Sequence, residues 1–461
     1  MGLYGRNRSV KKVVLGLMLV LCIMPIDAYS DTGARLKSGL SDEDKLYGLS
    51  LFWREASYNF AFFDQVSELD FDKTYREYIP QVLSVGSDYE YYRVLMKLSA
   101  QLKDGHTNVF MPKELLEKYL GWPDIDLSEA NRKAVVTGVG KENRYLVPLG
   151  SIIISVEGVA FESHLKTNVM PYVSSSTDNI LWDESVKRAL TGLPGTYVRF
   201  TIETPSGEYR DVRLKRNSRS GKVDKVYLKM PVSNGELIEL KWMGDGIIYI
   251  SINGFRDEKI LDYFQLYFDE IKKSNGVIID LRHNKGGQTS YAAEILAHFT
   301  DRDSEGAIWK TRKHVAAYKA WGRFNEEYKE YASNNAWVTG LTPTLKAKGN
   351  NSHIVPTYVL IGRQTASAAE DFLVYADKLS HFTTIGENTF GSTGQPIWFD
   401  LPGGGKARVC VKRDFYPDGR EFVGFGITPD IPIKRTPEQL RAELDAVLLE
   451  AISRLKTELS Y

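Results

Sequence analysis

A serine at the start of a helix-like segment is the residue in this sequence best placed to carry out chemistry. The apolar run at residues 358–361 predicts a buried strand, a Gly/Thr turn follows it, and residues 368–375, after Ser367, have helix composition. Backbone N–H groups in the first turn of a helix suit a nucleophile that generates an oxyanion. The alternative is structural, because Ser367 and Glu370 also have the spacing of a capping box.

A pair of glycines after a second predicted strand offers another turn that a ligand can approach. Residues 276–281 predict a buried strand, and the chain leaves it through a turn that ends at Gly286 and Gly287. Glycine lets the backbone come close to a ligand, so N–H groups in such a turn can point at it. An ordinary strand-to-helix turn has the same composition and is the alternative.

Two histidines are candidates for a general base that would activate such a serine. His106 follows the helix stop at residues 103–105, in a loop that can reach across to another domain. His283 lies close to the glycine pair in the sequence. A lone histidine is often structural, and His283 can equally pack or face solvent. Two further Gly-rich stretches, residues 387–396 and 424–430, either line a site or shape hairpins.

Three regions of different character must position these residues. Residues 42–125 carry aromatic residues at helical spacing, which predicts an N-terminal helical domain. Residues 130–217 contain short β-like runs and predict a small β-rich module. In residues 238–456 strands alternate with helices, which is typical of a mostly parallel sheet. The predicted fold class is therefore α/β multidomain.

Within the last region, the sequence makes more local predictions. Antiparallel-looking runs occur around 397–400, 407–413 and 420–427, and one final helix is predicted over 436–456. Residues 301–355 are polar, irregular and rich in Trp and Tyr, which predicts an insertion that lines a groove or decorates the surface.

Composition and charge exclude several classes of function. The chain has 461 residues with 43% apolar and 26% charged residues, as is ordinary for a globular protein. Its formal net charge is zero, so there is no electrostatic case for a nucleic-acid partner. P-loop and G-x-G-x-x-G motifs and clustered Cys/His spacings are absent from the sequence, so neither a metal nor an organic cofactor is predicted.

The N-terminal residues predict export. Basic residues between positions 6 and 12 precede an apolar run, 13–24, that is too short to span a bilayer comfortably. We therefore expect a signal peptide over residues 1–28, a periplasmic or extracellular location, and no stable membrane insertion after cleavage; an uncleaved anchor is the alternative. The remaining chain keeps one cysteine, Cys410, so no internal disulfide is expected.

Together and in this order, the motifs resemble those of the tail-specific, or C-terminal processing, serine peptidases. That family includes the tricorn protease core and the interphotoreceptor retinoid-binding protein modules. The shared elements are D-G-H-T at 104–107, D-L-R-x-N-x-G-G at 280–287, T-x-S-A-x-E at 365–370, G-E-x-T-x-G at 386–391 and G-I-x-P-D at 426–430. The resemblance implies a crotonase-like ββα peptidase core, and the β-rich module is similar to the family's PDZ-like domain.

The resemblance also implies roles for individual residues. Ser367 would be the nucleophile, and the oxyanion hole would be the backbone N–H of Ala368 with one from Gly286 or Gly287. One branch of the family uses a Ser–Lys dyad with lysine in a G-K-G turn, but residues 391–393 read Gly-Ser-Thr here.

A histidine base is therefore implied instead of the lysine. The tricorn-like branch uses a histidine from the earlier helical domain, and His106 occupies that place. The acidic residue that orients the histidine is expected in an E-G-x-G-I stretch. Val423 stands where that glutamate would be, so we assign the role to Glu421, which faces the same side of a strand.

The function implied is an exported serine endopeptidase that cleaves unstructured or C-terminal protein segments by acyl-enzyme chemistry. Its partners would be peptide or protein substrates. The alternative on the same fold is a non-catalytic binding protein for an apolar ligand or a peptide, as in the retinoid-binding relatives. The aromatic insertion taken alone leaves open a carbohydrate- or envelope-associated scaffold.

Overall fold

The computed structural model describes residues 39–218, 224–229 and 236–460. They belong to one compact unit, Leu36–Tyr461. The predicted signal peptide lies outside the described residues. Across the part of the chain that the structure describes, no helix combines the length and the apolar character that a bilayer crossing requires.

The N-terminal part is helical, as predicted, and its three longest helices begin at side-chain caps. Ser41 and Ser87 each accept a backbone N–H from the first turn of the helix that follows. Buried aromatic side chains, among them Phe52, Tyr91 and Tyr92, fill the space between the helices. The elements are α1 (Asp42–Asn59), α2 (Phe71–Ser84), α3 (Asp88–Ala100), β1 (Asn108–Phe110) and α4 (Lys113–Tyr119).

The next part is a β-rich segment around its own apolar core. A sheet with the strand order β2-β3-β4-β6-β7 packs on α6 through alternate residues such as Val136, Val198 and Phe200. Two short strands pair at its margins, β5 with β4 and β8 with β3. The elements are β2 (Ile125–Ala130), β3 (Lys133–Gly140), β4 (Ile152–Val156), β5 (Val159–Ala160), α5 (Phe161–His164), α6 (Asp178–Arg188), β6 (Tyr197–Glu203), β7 (Tyr209–Lys215) and β8 (Lys225–Tyr227).

A six-stranded sheet forms the centre of the last part and confirms the predicted parallel arrangement. Its strand order is β19-β15-β14-β11-β10-β9, and every neighbouring pair is parallel except β9 with β10. The strands are β9 (Ile238–Trp242), β10 (Ile247–Ile252), β11 (Gly276–Asp280), β14 (Thr357–Ile361), β15 (Phe382–Gly386) and β19 (Ile431–Pro432).

Helices cover both faces of this sheet, which is why its strands are apolar on both sides. Alternate residues such as Ile279 and Val359 pack with α7 (Lys259–Ile271), α8 (Thr289–Leu296) and α11 (Ala368–Ala376). The intervening residues, such as Ile278 and Leu360, pack against α13 (Ala446–Leu459). Because β11 and β14 are parallel neighbours, the loops that leave their carboxyl ends lie side by side.

Two three-stranded sheets complete the fold, with the orders β1-β17-β16 and β13-β12-β18. The first joins the N-terminal part to the core, since Val109 of β1 pairs with Ala407 of β17. The second lies partly in the predicted insertion. The remaining elements are β12 (Ile308–Arg312), α9 (Ala316–Trp321), α10 (Lys329–Ala332), β13 (Trp337–Leu341), β16 (Pro396–Leu401), β17 (Gly405–Cys410), β18 (Lys412–Phe415) and α12 (Pro437–Arg441).

Three local predictions were wrong. The segment 301–355 is not irregular throughout, because β12, α9, α10 and β13 lie within it. The run at 420–427 forms no strand, since Gly424 and Gly426 take positive φ angles of 91° and 81° and turn the chain. The final helix is two helices, and Glu443, with φ of 55°, lies in the break between them.

Candidate active site

Ser367 occupies a strained turn between β14 and α11. Its backbone angles, φ 56° and ψ −124°, lie in a region that glycine favours and that costs other residues about 1–3 kcal/mol. The Ser367 N–H donates to Glu370 Oε2 at 3.1 Å, and its carbonyl accepts the N–H of Glu370 at 2.7 Å. Glu370 therefore does make the capping contact that the sequence predicts. Capping alone, however, does not require the positive φ angle of Ser367.

The glycine pair lies directly against this turn. A Cβ atom on Gly286 would sit 2.6 Å from Ser367 Cβ and 2.9 Å from Ala368 N, so only glycine permits the approach. The N–H of Gly286 already donates to Asn284 Oδ1 at 2.9 Å. Gly287 pairs with Phe255 in a parallel bridge, and in such a bridge its own N–H points away from Phe255. Gly287 rather than Gly286 is thus the glycine whose N–H group can serve an oxyanion.

The close approach at Gly286 gives a sharp prediction. Gly286→Ala should reduce activity by at least about 100-fold, because the new methyl group must displace the Ser367 turn. Gly207→Ala is the matched control: Gly207 has φ of 83° beside 86° for Gly286, but its Cβ would meet nothing within 4 Å. Both variants should lose about 1–2 kcal/mol of stability to the positive φ. Thermal unfolding and peptide hydrolysis separate the two effects, and equal activity in the two variants would contradict this geometry.

His106 is held by Ser392 and Asp104. Its Nδ1 lies 2.5 Å from Ser392 Oγ, and its backbone N–H donates to Asp104 Oδ2 at 3.1 Å. The Ser392 hydroxyl in turn donates to Asp104 Oδ1 over 3.5 Å. With that proton directed at Asp104, Ser392 Oγ accepts Nδ1–H, so Nε2 is the ring nitrogen that carries the lone pair.

The electrostatic surroundings keep His106 neutral. Burial, with smaller contributions from the positive charges of Arg408 and Lys412, lowers the pKa of His106 to about 3. Burial likewise raises the pKa of Asp104, although hydrogen bonds from Thr107 and from the His106 backbone oppose the shift. A neutral imidazole is the form that can accept a proton from a serine hydroxyl.

Glu370 connects the serine turn to the histidine partner. It is fully buried, and its Oε2 accepts the backbone N–H of both Ser367, at 3.1 Å, and Ser392, at 3.2 Å. Its Oε1 accepts the Thr389 hydroxyl at 2.6 Å and the Gly391 N–H at 2.8 Å. One carboxylate thereby fixes the turn that carries Ser367 relative to the turn that holds His106.

Glu370 should also make stability depend on pH. Burial raises its pKa to about 7, although the hydrogen bonds that it accepts oppose the shift. Because the folded-state pKa exceeds the unfolded-state value, the stabilising contribution is complete below about pH 4.5 and is lost as pH rises through about 7. We expect Glu370→Gln to lose about 1–3 kcal/mol, since its amide nitrogen would face two donors, and to lose this part of the pH dependence. Urea unfolding of wild type and Glu370→Gln at pH 5 and pH 8 measures the free energy of unfolding of each. The same pH dependence in both proteins would contradict the raised pKa of Glu370.

The structure gives Glu421 a different partner from the one predicted. Its carboxylate pairs with Arg413 at 2.6 Å, and Arg413 also pairs with Asp64. Glu421 follows a turn rather than standing on a strand, so the alternation on which the assignment rested does not apply. His106 Nδ1 is hydrogen-bonded to Ser392, a residue that in the sequence stands out only because a lysine is absent from its turn.

The remaining candidates lie where their motifs placed them. His283 is half-buried in the turn before the glycine pair. The Gly-rich stretch 387–396 does line the site, since it supplies Ser392 and three donors to Glu370. In the stretch 424–430, the N–H of Ile427 donates to Thr389 Oγ1 at 2.7 Å, so this turn supports the one that carries Ser392.

Part of the chain matches the sequence model of a known protein family. Residues 246–433 match the sequence model of peptidase family S41. This segment of the chain carries the sequence signature of peptidase family S41. The S41 match includes Ser367 and the glycine pair, whereas His106 lies before it. The family resemblance and the mixed α/β fold are confirmed, while the PDZ likeness and the domain boundaries stay predictions.

Named S41 relatives match over different lengths. The chain is 24% identical over 248 residues to carboxy-terminal processing protease CtpB of Bacillus subtilis (strain 168), covering 53% of this chain and 44% of CtpB. It therefore spans less than half the length of that relative. It is 24% identical over 447 residues to the chloroplastic carboxyl-terminal-processing peptidase 2 of Arabidopsis thaliana, covering 94% of this chain and 76% of the relative.

Among solved structures, mature CPAF complexed with lactacystin has a TM-score of 0.72 at 14% identity. The match covers 91% of this chain and 99% of that chain. At this level of identity the likeness establishes the fold alone, and the chemistry must be argued from the site itself.

Proposed function

We propose that this protein is a serine endopeptidase in which Ser367 is the nucleophile and His106 the general base. The observation that carries the proposal is the hydrogen-bonded set that joins both residues: Glu370 Oε2 holds the Ser367 and Ser392 N–H groups, and Ser392 Oγ holds His106 Nδ1. A strained serine beside glycine backbone adds the features of an acyl-transfer site.

The proposed reaction follows from these positions. His106 Nε2 accepts the Ser367 hydroxyl proton while Oγ bonds to the scissile carbonyl carbon. The oxyanion that forms accepts the N–H groups of Ala368 and Gly287, and each such donor contributes about 3–4 kcal/mol to transition-state binding. His106 then gives its proton to the leaving amine as the C–N bond breaks. A water molecule releases the acyl group by the same steps, with His106 again as base, and Ser367 regains its proton.

In this proposal Ser392 and Asp104 replace the usual acid that contacts the histidine directly. When His106 becomes an imidazolium ion, its Nδ1–H remains bonded to Ser392 Oγ. The Asp104 carboxylate lies beyond that hydroxyl and beside the His106 backbone N–H, so its negative charge stabilises the cation.

The substrate proposal rests on the relatives. CtpB and the Arabidopsis protein are named for processing carboxyl termini. We extend to this chain the cleavage of unstructured or C-terminal protein segments, with the β-rich segment as a PDZ-like module that binds the substrate by strand addition. Export through a signal peptide at residues 1–28, to the periplasm or the extracellular medium, is part of the same proposal.

Mass spectrometry of the products formed from a disordered polypeptide tests this function. The protein, incubated with β-casein at neutral pH, should generate internal fragments, while a folded protein of similar size stays intact. Intact β-casein after incubation with correctly folded protein would refute peptidase activity and favour the non-catalytic binding alternative.

The identity of the histidine partner can be tested separately. Ser392→Ala should lower kcat/KM by about 100-fold or more, because Nδ1–H loses its acceptor and the ring its fixed tautomer. Glu421→Gln should stay within about 3-fold of wild type, because Glu421 is exposed and its carboxylate pairs with Arg413 rather than with His106. Steady-state hydrolysis measures kcat/KM for the two variants. A larger loss in Glu421→Gln than in Ser392→Ala would restore Glu421 as the acid that orients His106.

A further inference from the structure

A loop of the β-rich segment forms hydrogen bonds with the turn that carries His106. The loop, residues 173–177, contains Ser174, Ser175 and Ser176. Ser176 Oγ accepts the N–H of Gly105 at 2.8 Å and donates to Asp104 Oδ1 at 3.3 Å. Both partners immediately precede His106 in the chain, so this serine holds the N-terminal side of the histidine turn.

Ser174 holds the other side of the same turn through α3. The Ser99 hydroxyl donates to the Thr107 carbonyl at 3.0 Å, so its oxygen is left to accept from Ser174, which lies 3.0 Å away. Thr107 immediately follows His106. Ser176 therefore contacts the turn directly on the N-terminal side of the histidine, and Ser174 is linked through Ser99 to its C-terminal side.

Ser176 and Ser392 share one carboxylate oxygen, Asp104 Oδ1. Because Ser392 Oγ also bonds His106 Nδ1, the position of that oxygen determines which way the Ser392 proton points and hence which nitrogen of His106 carries the lone pair. Asp104 is buried, so its alternatives to these protein donors are few.

We propose that Ser174 and Ser176 are positioning residues for His106, so that the β-rich segment is a working part of the catalytic site. The inference rests on the proposed peptidase function. Ser176 acts on His106 through Asp104 and Ser392. Ser174 acts through Ser99, which holds the backbone carbonyl of Thr107. The loop also packs against the turn that carries Ser392. A Cβ atom on Gly391 would lie only 2.8 Å from Thr177 Cγ2.

Ser175 supplies a matched control within the same loop. Its hydroxyl donates to the Thr177 carbonyl at 2.9 Å, inside the loop, and the residue is buried. Ser175→Ala removes the same chemical group from the same segment without touching the histidine turn. Any effect of loosening the loop in general should therefore appear in Ser175→Ala too.

The test is the second-order rate constant for labelling of the full chain by a small fluorophosphonate probe, which needs the nucleophile and base but no peptide recognition. We expect Ser176→Ala to label about 10-fold more slowly than wild type, and Ser174→Ala/Ser176→Ala about 100-fold more slowly. Ser175→Ala should match wild type, and Ser176→Thr, which keeps the hydroxyl, should recover most of the rate. Thermal unfolding establishes that each variant is folded.

A double-mutant cycle distinguishes positioning from general support. If Ser176 acts through Ser392, then Ser176→Ala should change the rate less than about 3-fold in a Ser392→Ala background. Equal rates for the Ser175→Ala and Ser176→Ala variants, or a full additional loss in that background, would overturn the proposal while leaving the peptidase function intact. Wild-type protein that is folded but does not label at all would overturn both.

Discussion

Replacing Ser367 by alanine is expected to abolish peptide hydrolysis, with a loss of at least about 1,000-fold in kcat. The hydroxyl oxygen is the atom that forms the acyl-enzyme in the proposed mechanism, and no neighbouring group can replace it. The backbone contacts of the turn use the N–H and carbonyl of residue 367, both of which alanine keeps. Fold and stability should therefore remain close to wild type, as circular dichroism and thermal unfolding would measure.

The strain at this position provides an internal control. Alanine at residue 367 keeps the penalty of a φ of 56°, whereas glycine does not. Ser367→Gly should therefore be more stable than Ser367→Ala by about 1 kcal/mol and equally inactive. Measurable turnover in either variant would show that another residue is the nucleophile, and a less stable glycine variant would contradict the strained turn.

Replacing His106 by alanine should cost nearly as much as loss of the serine, about 1,000-fold or more, because the two residues act as a unit. Removing the imidazole takes away the proton acceptor and its hydrogen bond with Ser392 Oγ. Steady-state hydrolysis of an unstructured peptide measures the loss.

His381→Ala is the matched control for that variant. His381 also has one ring nitrogen hydrogen-bonded, to the Phe299 carbonyl at 2.8 Å, but it precedes the N-terminal end of β15, whereas Ser367 follows the C-terminal end of the parallel neighbour β14. Its loss should affect stability and leave kcat within a few-fold of wild type. If His381→Ala and His106→Ala were equally impaired, the effect of His106 would be structural.

The nucleophile turn was predictable because its signals are local. An apolar run of strand length, a turn and a helix-forming segment follow one another within about 20 residues, and each has a distinct periodicity. The structure places β14 and α11 at Thr357–Ile361 and Ala368–Ala376 on either side of Ser367. Parallel pairing of β11 with β14 then brings the glycine pair to the same edge, as strand–helix alternation implies.

The partner of His106 was not predictable in the same way, because it depends on contacts between distant parts of the chain. Ser392 lies 286 residues from His106 in the sequence and reaches it only through the fold. The assignment of Glu421 depends on a strand in which alternate residues face the same side. Positive φ angles at Gly424 and Gly426 turn the chain there. The two glycines in the sequence were themselves evidence against a regular strand at this place.

The role of the β-rich segment was also hidden in the sequence. A run of serines between two structured elements has the composition of an ordinary loop. Its hydroxyl groups form their contacts with the histidine turn only in the folded chain. The capping and turn signals of either segment alone do not reveal those contacts.

Fluorophosphonate labelling followed by peptide mapping tests the central claim most directly, because the reagent reports an activated serine whatever the natural substrate is. Wild-type protein at neutral pH should carry the label on Ser367 alone, and His106→Ala protein of equal stability should carry none. Label on a different residue, or labelling of Ser367 that is unchanged without His106, would contradict the proposed pair.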